Sequence, residues 1–182
     1  MLGRDRREER REERATFGAR GDAQRYQMRE KLMSIGDDSW IEDASGNRAF
    51  KVNGKALRLR KTLIIEDPSG AAVFRIQDRP IRVREVMEIE DPAGVTVATV
   101  KKAMITPLRE RFTIDVAAGG EMRAQGNIVN HEYEIEAAGT KVAEVSRKWF
   151  RVRDTYGVEV APGQNDALIL AITVCIDNLA SG

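Results

Sequence analysis

The chain repeats one phrase, Ile-Glu-Asp-x-x-Gly, at residues 41–46, 65–70 and 89–94, so its Glu-Asp pairs and glycines return every 24 residues. Few architectures suit that spacing. Around the second copy, Leu63-Ile64-Ile65-Glu66 runs into Asp67-Pro68-Ser69-Gly70, and the alternating Ala72-Val73-Phe74-Arg75-Ile76 runs out. Proline at the second turn position presets φ, aspartate before it bonds the turn backbone, and glycine after it accepts positive φ. Strand, tight turn and strand make a β-hairpin. Asp91-Pro92-Ala93-Gly94 repeats the turn, Asp43-Ala44-Ser45-Gly46 is a version without proline, and weaker echoes end at Gly119 and Gly139.

One period is therefore a hairpin plus the link to the next. Between about Glu30 and Pro162 there is room for five to six units, or roughly 11–12 antiparallel strands. That many strands in one domain form a sandwich or close into a barrel. Propeller blades need about 40 residues each, so the period excludes them. The C-terminal segment decides between sandwich and barrel. After the strand-breaking Ala161-Pro162-Gly163, Asn165 or Asp166 can cap a helix, and Asp166-Ala-Leu-Ile-Leu-Ala-Ile-Thr-Val-Cys-Ile-Asp177 has no polar face for three turns. A helix apolar all round is buried all round. A barrel of about twelve strands is too wide for its own side chains to fill, and such a helix would fill it. The expectation is a mainly β chain: a closed antiparallel barrel of about twelve strands around a buried C-terminal helix. Leu168, Leu170, Ile172 and Val174 should all be inaccessible.

Composition sets the remaining bounds. The 182 residues suffice for one domain with a sizeable core, and a net charge of +1 argues against a dedicated nucleic-acid binder. Residues 1–24 hold seven Arg and six acidic residues, mostly in like-charged i,i+4 pairs that weaken a helix, and read as a solvated tail. Residues 25–182 form the domain. The single Cys175 suits a reducing compartment, and no apolar run follows the basic start. The run Ala167–Ile176 is far short of the roughly 20 residues a bilayer span needs. The expected location is the cytoplasm, with peripheral attachment to a membrane as an option, and no transmembrane span.

Several stretches together resemble the LURP-one-related family, within the tubby C-terminal-like group that also includes phospholipid scramblases. They are Ser34-Ile-Gly-Asp-Asp38, Phe50-Lys-Val-Asn-Gly-Lys55, His131-Glu-Tyr-Glu-Ile135, Val142-Ala-Glu-Val-Ser-Arg-Lys-Trp-Phe150, Asp154-Thr-Tyr-Gly-Val-Glu-Val160 and the helix opening Asp166-Ala-Leu-Ile-Leu-Ala171. The resemblance covers about Tyr26 to Leu179. It implies a twelve-stranded closed barrel threaded by a hydrophobic C-terminal helix, and it implies little about activity, since fold alone does not carry function. A lipid connection follows from the scramblase and tubby relatives, but no lipid-binding residue transfers by motif.

Catalytic constellations are missing from the sequence. His131 is the only histidine and reads as a hydrogen-bonded structural residue at a strand start, while Cys175, inside the apolar helix, reads as packing. No phosphate-cradling glycine loop or nucleophile elbow occurs. Asp43-x-Ser45-x-Asn47 could open a calcium loop, but Arg48 and Gly54 stand where glycine and glutamate are required. Neither an enzyme nor a cofactor is expected. The arginines remain: Arg58-Leu-Arg60 and Arg82-Val-Arg84 lie one period apart, and Lys101-Lys102 adds to them. Alternation puts each arginine pair on one strand face, and a row of such strands could bind the phosphates of lipid head groups or another anionic partner, protein included. They could equally be a barrel's solvated outside, with Arg82 and Arg84 set across a three-residue loop from Glu88 and Glu90. The leading functional expectation is a non-catalytic binding or scaffold protein; a scramblase-like transporter and a small-molecule-binding enzyme are the alternatives.

With no apolar face, the first 24 residues should be dispensable for folding. Deleting them should move the thermal midpoint by less than about 4 °C, the shift that roughly 1 kcal/mol would produce. A larger drop would show the tail docked on the domain.

Overall fold

The computed structural model describes residues 23–29, 38–57, 60–79, 85–103, 110–150 and 153–180. Most of the charged segment, residues 1–22, lies outside the described residues. The strands are β1 (Gln24–Arg29), β2 (Ser39–Asp43), β3 (Arg48–Leu57), β4 (Arg60–Glu66), β5 (Ala72–Asp78), β6 (Val86–Glu90), β7 (Thr96–Ala103), β8 (Arg111–Val116), β9 (Glu121–Asn127), β10 (Glu132–Ala137), β11 (Thr140–Ser146) and β12 (Thr155–Val160). The helix α1 (Asp166–Ala180) follows. Each strand pairs with its sequence neighbours, and β1 pairs antiparallel with both β2 and β12, so the sheet closes into a twelve-stranded barrel without an edge.

The repeated phrase encodes a bend as well as a turn. Its isoleucines Ile41, Ile65 and Ile89 point inward and are fully buried. Between each of them and the following glutamate the strand register slips by one residue, and the same happens at Ile135/Glu136. The turn itself closes from Gly70 N to Asp67 O at 3.0 Å, with Gly70 at φ +88°. A tight turn followed by a left-handed glycine and a bulge bends the sheet locally, as barrel closure requires. The Asp67 carboxylate accepts from Ser69 Oγ at 2.5 Å and from the backbone N–H groups of Ser69 and Ala71 at 2.9 and 3.0 Å. Those bonds, the Ser69 hydroxyl first, hold Asp67 below the usual carboxylate range, and the Asn47 backbone does the same for Asp43. A lowered folded-state pKa stabilises the fold above the ordinary carboxylate range and is lost as acid protonates the group.

The lumen is filled by α1. Asn165 is its cap, accepting at Oδ1 from Leu168 N at 3.1 Å. Residues Leu170 to Ile176 are wholly buried, and the helix packs most closely on β5, β6, β7 and β12. Thr173 lies on this apolar cylinder, but its hydroxyl donates back to Ile169 O at 2.9 Å, so the helix absorbs its own polar group. Two expectations change. Leu168 is half-buried because it sits in the first turn, at the barrel mouth. Strand β1 begins upstream of the range from which the strands were counted, its inward Tyr26 and Met28 being its one apolar signature.

Ile172 lies at the centre of the helix and is fully buried. Ile172→Asp should place an uncompensated charge there, costing several kcal/mol and the fold with it. Circular dichroism melting of the purified variant checks this; a parental melt would contradict the central-helix core.

Candidate functional site

The topology sorts the connections between strands onto two rims. One rim carries the short turns 44–47, 67–71, 91–95, 117–120 and 138–139 and the link 161–165 into the helix. The other carries the longer connections 30–38, 79–85, 104–110 and 147–154 and the shorter 58–59 and 128–131, and there α1 ends. Charge is divided with them. The turn rim's connections hold two aspartates and no Lys or Arg, whereas those of the opposite rim hold ten Lys/Arg against six Asp/Glu. Counted from the sequence, the two sets of connections thus differ in charge although the whole chain is nearly balanced.

By sequence position the candidates belong to connections and strand ends on the side of the barrel opposite the short turns. Arg58, Arg82 and Arg84 lie outside the described residues, in the connections between β3 and β4 and between β5 and β6. Arg60 starts β4, paired with Leu57 in the ladder. Lys101 and Lys102 do not share a face. Lys101 Nζ lies 2.6 Å from Asp115 on the neighbouring β8, an exposed pair worth at most about 1 kcal/mol. Lys102 follows the inward parity of Ala98 and Val100; its Nζ is 3.3 Å from Glu110 Oε1 and 3.5 Å from Leu179 O. A cation against the last carbonyls of a helix is favoured by the helix dipole. The expected cross-loop pairing of Arg82 and Arg84 with Glu88 and Glu90 does not match the register. The connection runs from 79 to 85, Gln77 and Arg75 stand opposite those glutamates, and Arg79 takes both, at 2.9 Å and 3.4 Å. Exposed Arg29, Arg111, Arg147, Lys148 and Arg153 add to the rim.

Beneath the rim lies a buried polar cluster that sequence reasoning did not assemble. Asp177, in the last turns of α1, is 8% exposed, and its Oδ2 accepts from the Tyr156 hydroxyl. His131 stacks on the Tyr156 ring, centroids 4.2 Å apart and planes within 9°, and its Nδ1 comes within 3.4 Å of Asp177 Oδ1. His131 holds this place from a left-handed backbone, φ +52°, in the turn from β9 to β10. Burial first, and then the Asp177 charge, push the Tyr133 phenol well above its usual range and raise the Cys175 thiol as well. A thiol so raised stays protonated at neutral pH and is a poor nucleophile. His131 is packed against Tyr156 here, and Asp177 beside it carried no signal in the sequence beyond standing near a helix end. Among the described residues, no group of His, Cys, Asp and Glu is placed to hold a metal ion, and no helix is long and apolar enough to cross a membrane.

Outside the wall, two quoted stretches meet. Trp149 and Phe150, after β11, fold over Gly157 of β12, where an added Cβ would stand 2.7 Å from Trp149 Cε3 and 2.8 Å from Phe150 Cε2. Arg25 lies over the Trp149 ring at 5.0 Å and pairs with Glu159. This fixes the 147–154 connection at its base and closes the β1–β12 seam from outside.

Fold and rims together define a closed twelve-stranded barrel threaded by its own C-terminal helix. The LURP-one-related family model matches residues 24–177, and the chain belongs to that family. The crystal structure of a protein from Arabidopsis thaliana is similar in fold, with a TM-score of 0.66 and 18% identity over 87% of this chain and 91% of that one. No curated protein sequence matches this chain.

Tyr156→Phe removes the donor to Asp177 with little change of shape. Leaving a buried carboxyl oxygen without that bond should cost about 1–3 kcal/mol. Denaturant titration should show a lower midpoint at unchanged slope; an unchanged midpoint would mean the contact contributes nothing.

Proposed function

We propose that this LURP-one-related protein is a non-catalytic binding protein that docks on anionic phospholipid head groups through its basic rim, as a peripheral protein in the cytoplasm. On this reading it shares its ancestry with the tubby C-terminal-like and scramblase group. The observation that carries it is the division of charge between the two sets of connections: ten Lys/Arg against six Asp/Glu in one, and two aspartates without a cation in the other. An end-on basic surface suits a plane of phosphates better than it suits a small ligand. Each Lys or Arg near an anionic membrane is worth about 1 kcal/mol, so a few together give weak, reversible attachment. A lumen filled by α1 leaves the loops and outer wall to do the binding.

Flotation on vesicles with and without anionic lipid tests this. The full chain should float with anionic vesicles at low salt and be released at about 1 M salt, where screening shortens to a few ångströms. The variant Arg58→Gln, Arg60→Gln, Arg82→Gln, Arg84→Gln should stay unbound with an unchanged far-ultraviolet spectrum. Failure of the parent to float on any anionic lipid, or undiminished flotation of the variant, would overturn the proposal.

A further inference from the structure

We propose that the turn between β9 and β10 enters the membrane interface when the basic rim docks, with Val129 as the inserted side chain. This rests on the head-group reading of the rim and adds an apolar contact to it. Val129, 67% exposed, is one of two large hydrophobic side chains held in solvent among the described residues; the other, Val95, is 58% exposed in a turn of the opposite rim.

Four features show that Val129 is held out by construction. Ile128 beside it is buried in the core, and His131 N donates to Ile128 O at 3.0 Å, closing the turn. Asn130 N donates to Asn127 Oδ1 at 3.2 Å across it. His131 is clasped from below by Tyr156 and Asp177. At the base, Gly126 (φ +141°) lies so close to β10 that an added Cβ would stand 2.7 Å from Glu132 O. With its flanks anchored in the core, the turn projects an apolar tip that does not need to be ordered on binding, which removes a usual entropic cost. Charge draws the rim to an anionic surface, and an apolar side chain at that rim then reaches the interfacial region, where basic and apolar groups act together. Val95 lies on the rim whose connections carry only acidic charge, and faces away in the same pose.

The two valines give the experiment its internal control. Cys175, the single cysteine, is buried, so a thiol-directed environment-sensitive dye reacts selectively at an introduced cysteine. Val129→Cys and Val95→Cys, each labelled in the full chain, are mixed with phosphatidylserine-containing vesicles at low salt. The dye at 129 should shift to shorter wavelength and brighten, the dye at 95 should not, and Val129→Asn should lower vesicle partition by about tenfold. Flotation of the parent with a silent dye at 129, or a shift at 95 instead, overturns the insertion while head-group docking stands. A parent that does not float removes both.

Discussion

Everything in this molecule depends on the lumen being filled. Twelve inward-facing strands enclose more space than their own side chains can occupy, and α1 supplies the missing volume as a cylinder with apolar residues on every side. Strand closure and helix burial are one condition. The wall has an inner surface worth burying only if the helix is present, and the helix is tolerable only inside the wall. The price of a lone polar residue on that cylinder is visible at Thr173, which bonds back to its own helix, and at Asp177, which reaches Tyr156 and His131 at the exit.

Much of this was legible because it is written locally. Asp67, Pro68 and Gly70 specify a turn by their own backbone preferences, and Ile65, fully buried, is found from alternation alone. Less obvious is that the same six residues also encode a bulge, since a register slip needs a partner strand to exist. Strand β1 shows the limit more sharply. Gln24–Arg29 is polar apart from Tyr26 and Met28 and is a strand because β12, about 130 residues away, offers it a ladder. Pairing over that distance leaves almost no trace in either segment.

The candidate site was half legible for a related reason. The spacing of Arg58, Arg60, Arg82 and Arg84 pointed to equivalent places in successive hairpins, and topology shows the connections concerned to be on one rim. That spacing could not show which rim receives charge of which sign, because the sum over connections depends on the order in which strands alternate direction. Lys101 and Lys102, adjacent in a strand, turn to opposite sides of the wall, and the parity of buried Ala98 and Val100 says which of them faces inward. Val129 was invisible: an apolar residue between Ile128 and Asn130 reads as core until its neighbours take the inward positions.

The helix that fills the barrel follows all twelve strands in the chain, and this has a consequence for biogenesis. Synthesis at about 5–20 residues per second delivers the wall completely before its filling emerges from the ribosome. During that interval the inner faces of the hairpins have nothing to close on, and β1 must wait for β12 before its far side is paired. Such a nascent chain is a set of locally formed, mutually uncommitted hairpins with apolar faces open to other chains. The short glycine-containing turns let hairpins form early and by themselves, whereas assembly awaits the final segment. A circularly permuted chain that began with α1 would present the filling first, and its wall could be laid down around it strand by strand.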